Sequence, residues 1–226
     1  MSTAPTAPSS VRAHVLIAVK DLGQAKSRLT PRLADGQRTE LVLAMLRDTL
    51  SAARASVAVA AVTVITPDPR VSAAATAAGA HWIPDRAAGP DRLNDVLHAA
   101  ARETDRGPGP VVALQGDLPC LTAVELTEAL VAARPFPRAV VVDHHGTGTS
   151  ALIVADPSQD LSPRFGTDSA RRHIDSGATA LRGSWPGLRL DVDTPDDLDA
   201  ASLLGPGPET ARVLRSIGWP RPSARC

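Results

Sequence analysis

The sequence predicts an α/β fold with a mostly parallel central sheet, helices on both faces and a small β-hairpin insertion. Short Val-, Ile- and Leu-rich runs alternate with amphipathic stretches over the first ~135 residues, the rhythm of right-handed βαβ units. The runs are apolar almost throughout rather than at every second position, as strands covered on both faces are. The later half breaks this rhythm with two strands around the Gly/Thr-rich turn "HHGTGTS" (144–150), a hairpin pattern.

Taken in order, "HVLIAV" (14–19) is the first strand, and "GQRTELVLAMLRDTLSAARA" (36–55) is a helix with Asp35 as its cap. "AVTVIT" (61–66) and "HWIP" (81–84) are strands on either side of the helix "RVSAAATAAG" (70–79), which ends on a glycine. "PDRLNDVLHAAARET" (90–104) is helical, "PVVALQ" (110–115) extended, and "TAVELTEALVAA" (122–133) a helix opened by a Thr122/Glu125 capping box. "RAVVVD" (138–143) and "SALIVA" (150–155) form the hairpin. "LRLDVDTPDDLDAASLL" (188–204) supplies one more strand and a helix capped by Thr194. No internal repeat is present, and the Pro/Gly punctuation at 107–110 and 205–208 marks loops too short to separate domains. The expected organisation is a tail at 1–12, a single domain at 13–217 and a C-terminal tail at 218–226.

Composition narrows the function classes. A chain of 226 residues with 43% hydrophobic content can bury a substantial core, and its formal charge is zero. Neither half is strongly basic, which argues against a nucleic-acid groove. Two cysteines, Cys120 and Cys226, give no disulfide framework, so a reducing compartment is expected. "MSTAPTAPSS" has no charged n-region before an apolar core and reads as a disordered tail. The longest apolar runs, such as "ASVAVAAVTVI", fall short of the ~20 residues of a membrane span. These features point to a soluble cytoplasmic protein, with no membrane or nucleic-acid partner. Oligomeric state leaves no trace in the sequence.

Lysine usage is the first sign of chemistry. Of 24 basic residues only Lys20 and Lys26 are lysines, and both lie in "IAVKDLGQAKSRLTPRL" (17–33), just after the first strand. Ligands of parallel sheets gather outside the carboxyl ends of strands, and a βα loop longer than ~6 residues is often functional. Lys20, Lys26, Arg28 and Arg32 could wrap a polyphosphate with only Asp21 opposing them. Neither G-x-x-x-x-G-K-[ST] nor G-x-G-x-x-G is present, and a solvated basic loop fits the local sequence equally well.

Carboxylates are the second sign. Asp117 follows a buried strand in "VVALQGDLPCL", where it can face the ligand crevice as a magnesium ligand. Asp191 and Asp193 lie around the end of the last strand, and alternate strand residues share a face. Magnesium commonly takes one or two protein carboxylates and completes its shell with water and substrate phosphate. Asp196 and Asp197 sit in a helix first turn, where carboxylates are favourable without a ligand, and are left out. His144, His145 and His173 follow no Cys/His zinc spacing, and Trp82, Trp185 and Trp219 read as packing residues. In "RFGTDSARRH" (164–173), Gly166 precedes a helix whose first turn carries Thr167 and Ser169, an arrangement that is either an anion site or an ordinary N-cap. Thr149 and Ser150 in the hairpin could add donors.

Seven segments in order carry a resemblance: "AVKDLGQAKSRL", "VITPDP", "LNDVL", "GDLP", "GTGTSAL", "RFGTDSARRH" and "DVDTPDDL". From about Val15 to Leu198 the chain resembles the phosphoenolpyruvate or 2-phospho-L-lactate guanylyltransferases of deazaflavin coenzyme F(420) biosynthesis. The resemblance implies a Rossmann-like nucleotidyltransferase fold and attack of the acceptor's phosphate on the α-phosphorus of GTP, with release of pyrophosphate. That chemistry fits Lys20, Lys26 and Arg28 as catalytic cations and Mg2+ on Asp117, Asp191 and Asp193, with Thr66, Asp68 and Asn94 on the nucleotide side. The acceptor would meet Thr149, Ser150, Gly166 and Ser169. The segment "DRLNDVL" has Arg92 where the family commonly has glycine, and "GDLP" has Gly116 for alanine. The arginine- and alanine-rich composition resembles the actinobacterial branch that uses phosphoenolpyruvate. 2-Phospho-L-lactate, 3-phosphoglycerate and a regulatory module without turnover stay open.

Overall fold

The computed structural model describes residues 12–24, 26–86, 91–103, 109–156 and 158–219. A seven-stranded sheet runs in the order β3-β2-β1-β4-β6-β5-β7. Its strands are β1 (Ala13–Ala18), β2 (Val59–Thr66), β3 (His81–Pro84), β4 (Val111–Leu114), β5 (Arg138–Val142), β6 (Thr149–Val154) and β7 (Thr179–Ala180). β1 pairs in parallel with both β2 and β4, while β6 runs antiparallel between β4 and β5. The parallel half and the hairpin therefore meet at β4, the expected mixed sheet.

Alternate strand residues split the core into two layers. Val15 and Ile17 of β1 pack with α1 (Asp35–Ala55) and α4 (Ala123–Ala133), whereas Leu16 packs with α3 (Arg92–Glu103) on the other face. The first layer also takes in α2 (Pro69–Ala77), α7 (Pro195–Leu204) and α8 (Pro208–Ser216). α5 (Ser169–Asp175) lies against β5. Glycine punctuation does what sequence reading expects at Gly79, whose φ of +69° closes α2 in the left-handed region. The capping boxes at Thr122/Glu125 and Thr194 are formed, with Glu125 N–H donating to Thr122 Oγ1 at 3.2 Å and Asp197 N–H to Thr194 Oγ1 at 3.3 Å.

Two expectations are corrected. Asp35 is the first helical residue of α1 rather than its cap. Ala34 is the N-cap, and its N–H donates to Gln37 Oε1 at 3.2 Å. The strand expected from residue 188 is absent from the sheet. Pro186–Arg189 form a short helix, α6, and the next residues stay outside the ladder, with Val192 N–H bonded to the Asp117 carbonyl at 3.1 Å and Asp193 N–H to Asp197 Oδ2 at 3.0 Å. Pro186 fixes a helical φ at the first position, and the Arg189 guanidinium bonds the carbonyls of Val142 and Leu181, so the sheet edge is already engaged. Alternation survives without the ladder: Leu188, Leu190 and Val192 are buried, and Asp191 and Asp193 face the other way.

Trp185 and Trp219 are buried, whereas Trp82 is 47% exposed on the edge strand β3. Cys120 is buried, and burial followed by the Glu125 and Asp48 carboxylates pushes its thiol up to about 12, so it is chemically quiet. Cys226 and the expected terminal tails up to residue 11 and from residue 220 lie outside the described residues.

Candidate active site

A cavity of ≈ 640 Å³ opens at the carboxyl ends of β1 and β4. β1 pairs with β2 on one side and β4 on the other, so the crossovers diverge there and leave a crevice. One wall is the loop after β1. Leu22, Leu29 and Leu33 anchor it in the core, and Leu22 N–H donates to Asp68 Oδ2 at 3.2 Å. That anchoring leaves Lys20 and Arg28 exposed at the cavity and Lys26 inside it.

Lys26 adopts φ 56°, a left-handed conformation uncommon for a residue with a Cβ. Its ammonium donates to both Asp117 Oδ2 and Asp193 Oδ1. Burial alone would lower its pKa, but the Asp117 and Asp193 carboxylates more than reverse this, and the lysine is held charged. Asp191 lies beside this pair with its carboxyl pushed up by burial, then by Asp117, Asp143 and Asp193. Among the described residues Asp117 Oδ1 and Asp191 Oδ1 are buried without a hydrogen-bond partner, His144 Nδ1 standing 3.6 Å from the latter. Carboxylates that repel one another around one ammonium, with two oxygens unmet, form a site short of positive charge.

Asp143 is a cavity residue that sequence reading missed. It follows β5 much as Asp117 follows β4, which was the available signal. Its Oδ1 accepts from Thr147 N–H at 3.0 Å, and a Cβ at Gly148 would fall 2.3 Å from its Oδ2, so the "GTG" turn is built around this carboxylate. Asp197, set aside in the sequence as a helix-capping residue, does cap α7: its Oδ2 accepts from the N–H groups of Asp193 and Thr194 at 3.0 and 2.7 Å. Burial pushes its carboxyl up, but those amides, Thr194 and His144 outweigh it and hold the group below the usual carboxylate range. Oδ1 receives His144 Nε2 at 2.9 Å and His145 Nε2 at 3.0 Å, with the two rings 3.8 Å apart. These three residues are near enough to hold a metal ion, yet the rings lie side by side over one oxygen as two donors would. The hub fixes the backbone that carries Asp191 and Asp193.

The opposite wall pairs hydroxyls with the Asp168 carboxylate. Thr149, Gly166 and Ser169 line the cavity, with Ser169 Oγ 3.2 Å from Thr149 Oγ1. Gly166 has φ +114°, open to glycine and strained for other residues. α5 starts at Ser169, two residues later than Thr167, and its first amides are already used: Ser169 N–H bonds the Gly166 carbonyl and Ala170 N–H the Thr147 carbonyl. Hydroxyls rather than helix-start amides are therefore the donors on this wall.

The remaining candidates lie elsewhere. Ser150 is buried on the other side of β6, its hydroxyl directed to the Arg189 carbonyl at 3.4 Å. Thr66 Oγ1 accepts from Asp68 N–H, and Asp68 Oδ1 caps α2 through Arg70 N–H at 2.8 Å. Asn94 clamps Phe165, accepting from its N–H at 2.7 Å and donating to its carbonyl at 3.1 Å. These three brace the loops around the cavity instead of lining it.

The family model "Guanylyl transferase CofC like" matches residues 13–223. Phosphoenolpyruvate guanylyltransferase 1 of Rhodococcus jostii (strain RHA1) is 52% identical over 229 residues, covering 95% of this chain and 97% of the relative. A phosphoenolpyruvate guanylyltransferase of Mycobacterium sp. (strain KMS) is 55% identical over 210 residues, covering 92% and 94%. Among solved structures, a 4-diphosphocytidyl-2C-methyl-D-erythritol synthase superposes with a TM-score of 0.56 at 14% identity, covering 86% of this chain and 99% of that one. A cytidylyltransferase from Leptospira borgpetersenii serovar Hardjo-bovis (strain JB197) gives 0.55 at 14% identity, covering 92% and 94%. At that identity the likeness speaks for the fold. Among the described residues no helix is long and apolar enough to cross a membrane.

Proposed function

The chain belongs to the CofC-like guanylyl transferase family, and from that membership we propose that it transfers GMP from GTP to the phosphate of phosphoenolpyruvate. Pyrophosphate leaves, and the product enters coenzyme F(420) biosynthesis. The observation that carries this reading is the cavity itself, with under-neutralised carboxylates and a buried lysine on one wall and a hydroxyl pair on the other. The relatives named for phosphoenolpyruvate support that acceptor over 2-phospho-L-lactate.

In this reading an oxygen of the acceptor phosphate attacks the α-phosphorus, and the bond to the β-phosphate's bridging oxygen breaks with its electron pair leaving on pyrophosphate. The nucleophile is already an anion, so no side chain has to take a proton. Lys26 offsets charge at the α-phosphate, while Lys20 and Arg28 at the cavity mouth neutralise the leaving pyrophosphate. Thr66, Asp68 and Asn94 serve the nucleotide through the loops they brace. Thr149, Gly166 and Ser169 receive the acceptor, with Ser150 behind them in the strand.

The residues fit a divalent cation, because among the described residues two buried carboxylate oxygens lack hydrogen-bond partners, and the Lys26 ammonium is shared between Asp117 and Asp193. Asp117, Asp191 and Asp193 would hold Mg2+, whose charge, when bound, lowers the repulsion between the two phosphates. Pyrophosphate release from GTP, measured across phosphoenolpyruvate, 2-phospho-L-lactate, 3-phosphoglycerate and a sugar 1-phosphate, tests the function. We expect turnover with phosphoenolpyruvate and its loss in EDTA. Turnover with the sugar phosphate alone would sink the reading, and turnover persisting in EDTA would sink the magnesium assignment.

A further inference from the structure

We propose that His173 is a positioning residue for the acceptor, its fixed tautomer turning the Thr149–Ser169 hydroxyl pair into a hydrogen-bond donor aimed at an anion in the cavity. This rests on the functional reading above. His173 is fully buried, and its ring meets Phe165 edge-on at 5.1 Å. The backbone N–H of Arg164 lies 2.8 Å from Nε2. A backbone amide can only donate, so Nε2 must carry the lone pair. Burial, followed by the Arg138 guanidinium, lowers the ring's pKa to about 4; a backbone hydrogen bond at Ser169 pulls the other way, and Arg172 and Arg164 add to the lowering. The imidazole is therefore neutral at ordinary pH, and its single proton is left on Nδ1.

Nδ1 lies 3.0 Å from Thr149 Oγ1, so the ring donates and the threonine accepts. Thr149 Oγ1 is also 3.2 Å from Ser169 Oγ. The two hydroxyls hold two protons and use one between them. The other has no taker within the cluster, and both residues line the cavity. With the opposite tautomer Thr149 would donate to the ring and Ser169 to Thr149, and the cavity would face oxygen lone pairs. Such a surface repels phosphate and carboxylate, so the tautomer decides whether this hydroxyl pair can donate. Asn94 holds both backbone groups of Phe165, which fixes the neighbouring Arg164 amide that imposes the tautomer.

Long-range 1H–15N spectra of the wild-type histidine rings read the tautomer without substrate, and the Nδ1–H pattern is expected for His173. Two variants then separate donation from packing. In His173→Asn the side-chain amide replaces Nδ1 and can still donate to Thr149. In His173→Gln it replaces Nε2 and reaches only Arg164. We expect the glutamine variant to raise the phosphoenolpyruvate KM about tenfold or more, and the asparagine variant to stay within about threefold. The GTP KM should stay within about twofold in both. An Nε2–H pattern in the wild type overturns the proposal, as does an equal acceptor KM in the two variants at matched thermal midpoints. Should the glutamine variant fail to fold, the wild-type spectrum and the asparagine variant decide. Unchanged phosphoenolpyruvate KM in Thr149→Val and Ser169→Ala would instead remove the acceptor assignment, whatever tautomer the spectrum reports.

Discussion

The two walls of the cavity solve opposite problems. On the wall built from the β1 loop and the carboxylates, like charges are pressed together, two buried oxygens are unmet and Lys26 is held in a left-handed backbone. On the wall built from β6 and α5, each polar group of the Arg164–His173–Thr149–Ser169 chain has a partner, save one hydroxyl proton. The charged wall is incomplete without a ligand. The hydroxyl wall is organised in advance, and a ligand has only to accept from it. Preorganised donors cost no rearrangement during the reaction, whereas poorly neutralised charge lowers stability until a cation or phosphate arrives.

The contrast can be broken most severely at Asp117. Asp117→Asn should lower kcat by about 10²–10³-fold, on the order of 3–4 kcal/mol of transition-state stabilisation. The urea midpoint should change far less than such a loss implies, because the charged wall contributes chemistry and not stability. A parallel loss of stability would make Asp117 a folding residue and erase the difference between the walls.

Acid should unravel the hydroxyl wall. The folded pKa of His173, about 4, lies below its ordinary value of 6.5, so between those values the unfolded chain binds a proton that the folded chain refuses. Its contribution is complete above pH 6.5 and is lost as pH falls towards 4, a total of about 3 kcal/mol. Urea unfolding at pH 7.5 and pH 4.5 should show this slope in the wild type and a shallower one in His173→Asn. Equal slopes would mean that His173 titrates normally.

Thr149→Val removes the hydroxyl while keeping the branched shape. It should weaken the acceptor by about 1.5–3 kcal/mol, roughly ten- to a hundredfold in KM, and leave the GTP KM within about twofold. A GTP effect larger than the acceptor effect would exchange the roles of the two walls.

The smallest effect sharpens the comparison. Asp191→Asn should raise metal-free stability by on the order of 1 kcal/mol, because it relieves burial of a charge among like charges. The same variant should lose activity. A thermal midpoint that falls in EDTA would show that the carboxylates support one another in some way that repulsion does not describe.

Much of this was legible in the chain. Apolar runs and capping boxes determined β1 to β6 and α4, since a strand buried on both faces and a Thr-x-x-Glu box are local facts of sequence. Lys26 and Asp117 could be nominated because each follows a strand whose end must point at the crevice, whereas Asp193 was nominated from a strand that the sheet does not contain. Tertiary structure alone decided which nominated groups meet. Ser150 and Thr149 are neighbours with the same chemistry, yet strand alternation sends one hydroxyl to the Arg189 carbonyl and the other to the cavity. Asn94 and Phe165 lie 71 residues apart, and Arg164 supplies the amide that fixes the His173 proton only once the chain has folded back on itself. A side chain's type and its place along an element are written locally. The partner that sets its proton, charge or orientation is reached through space.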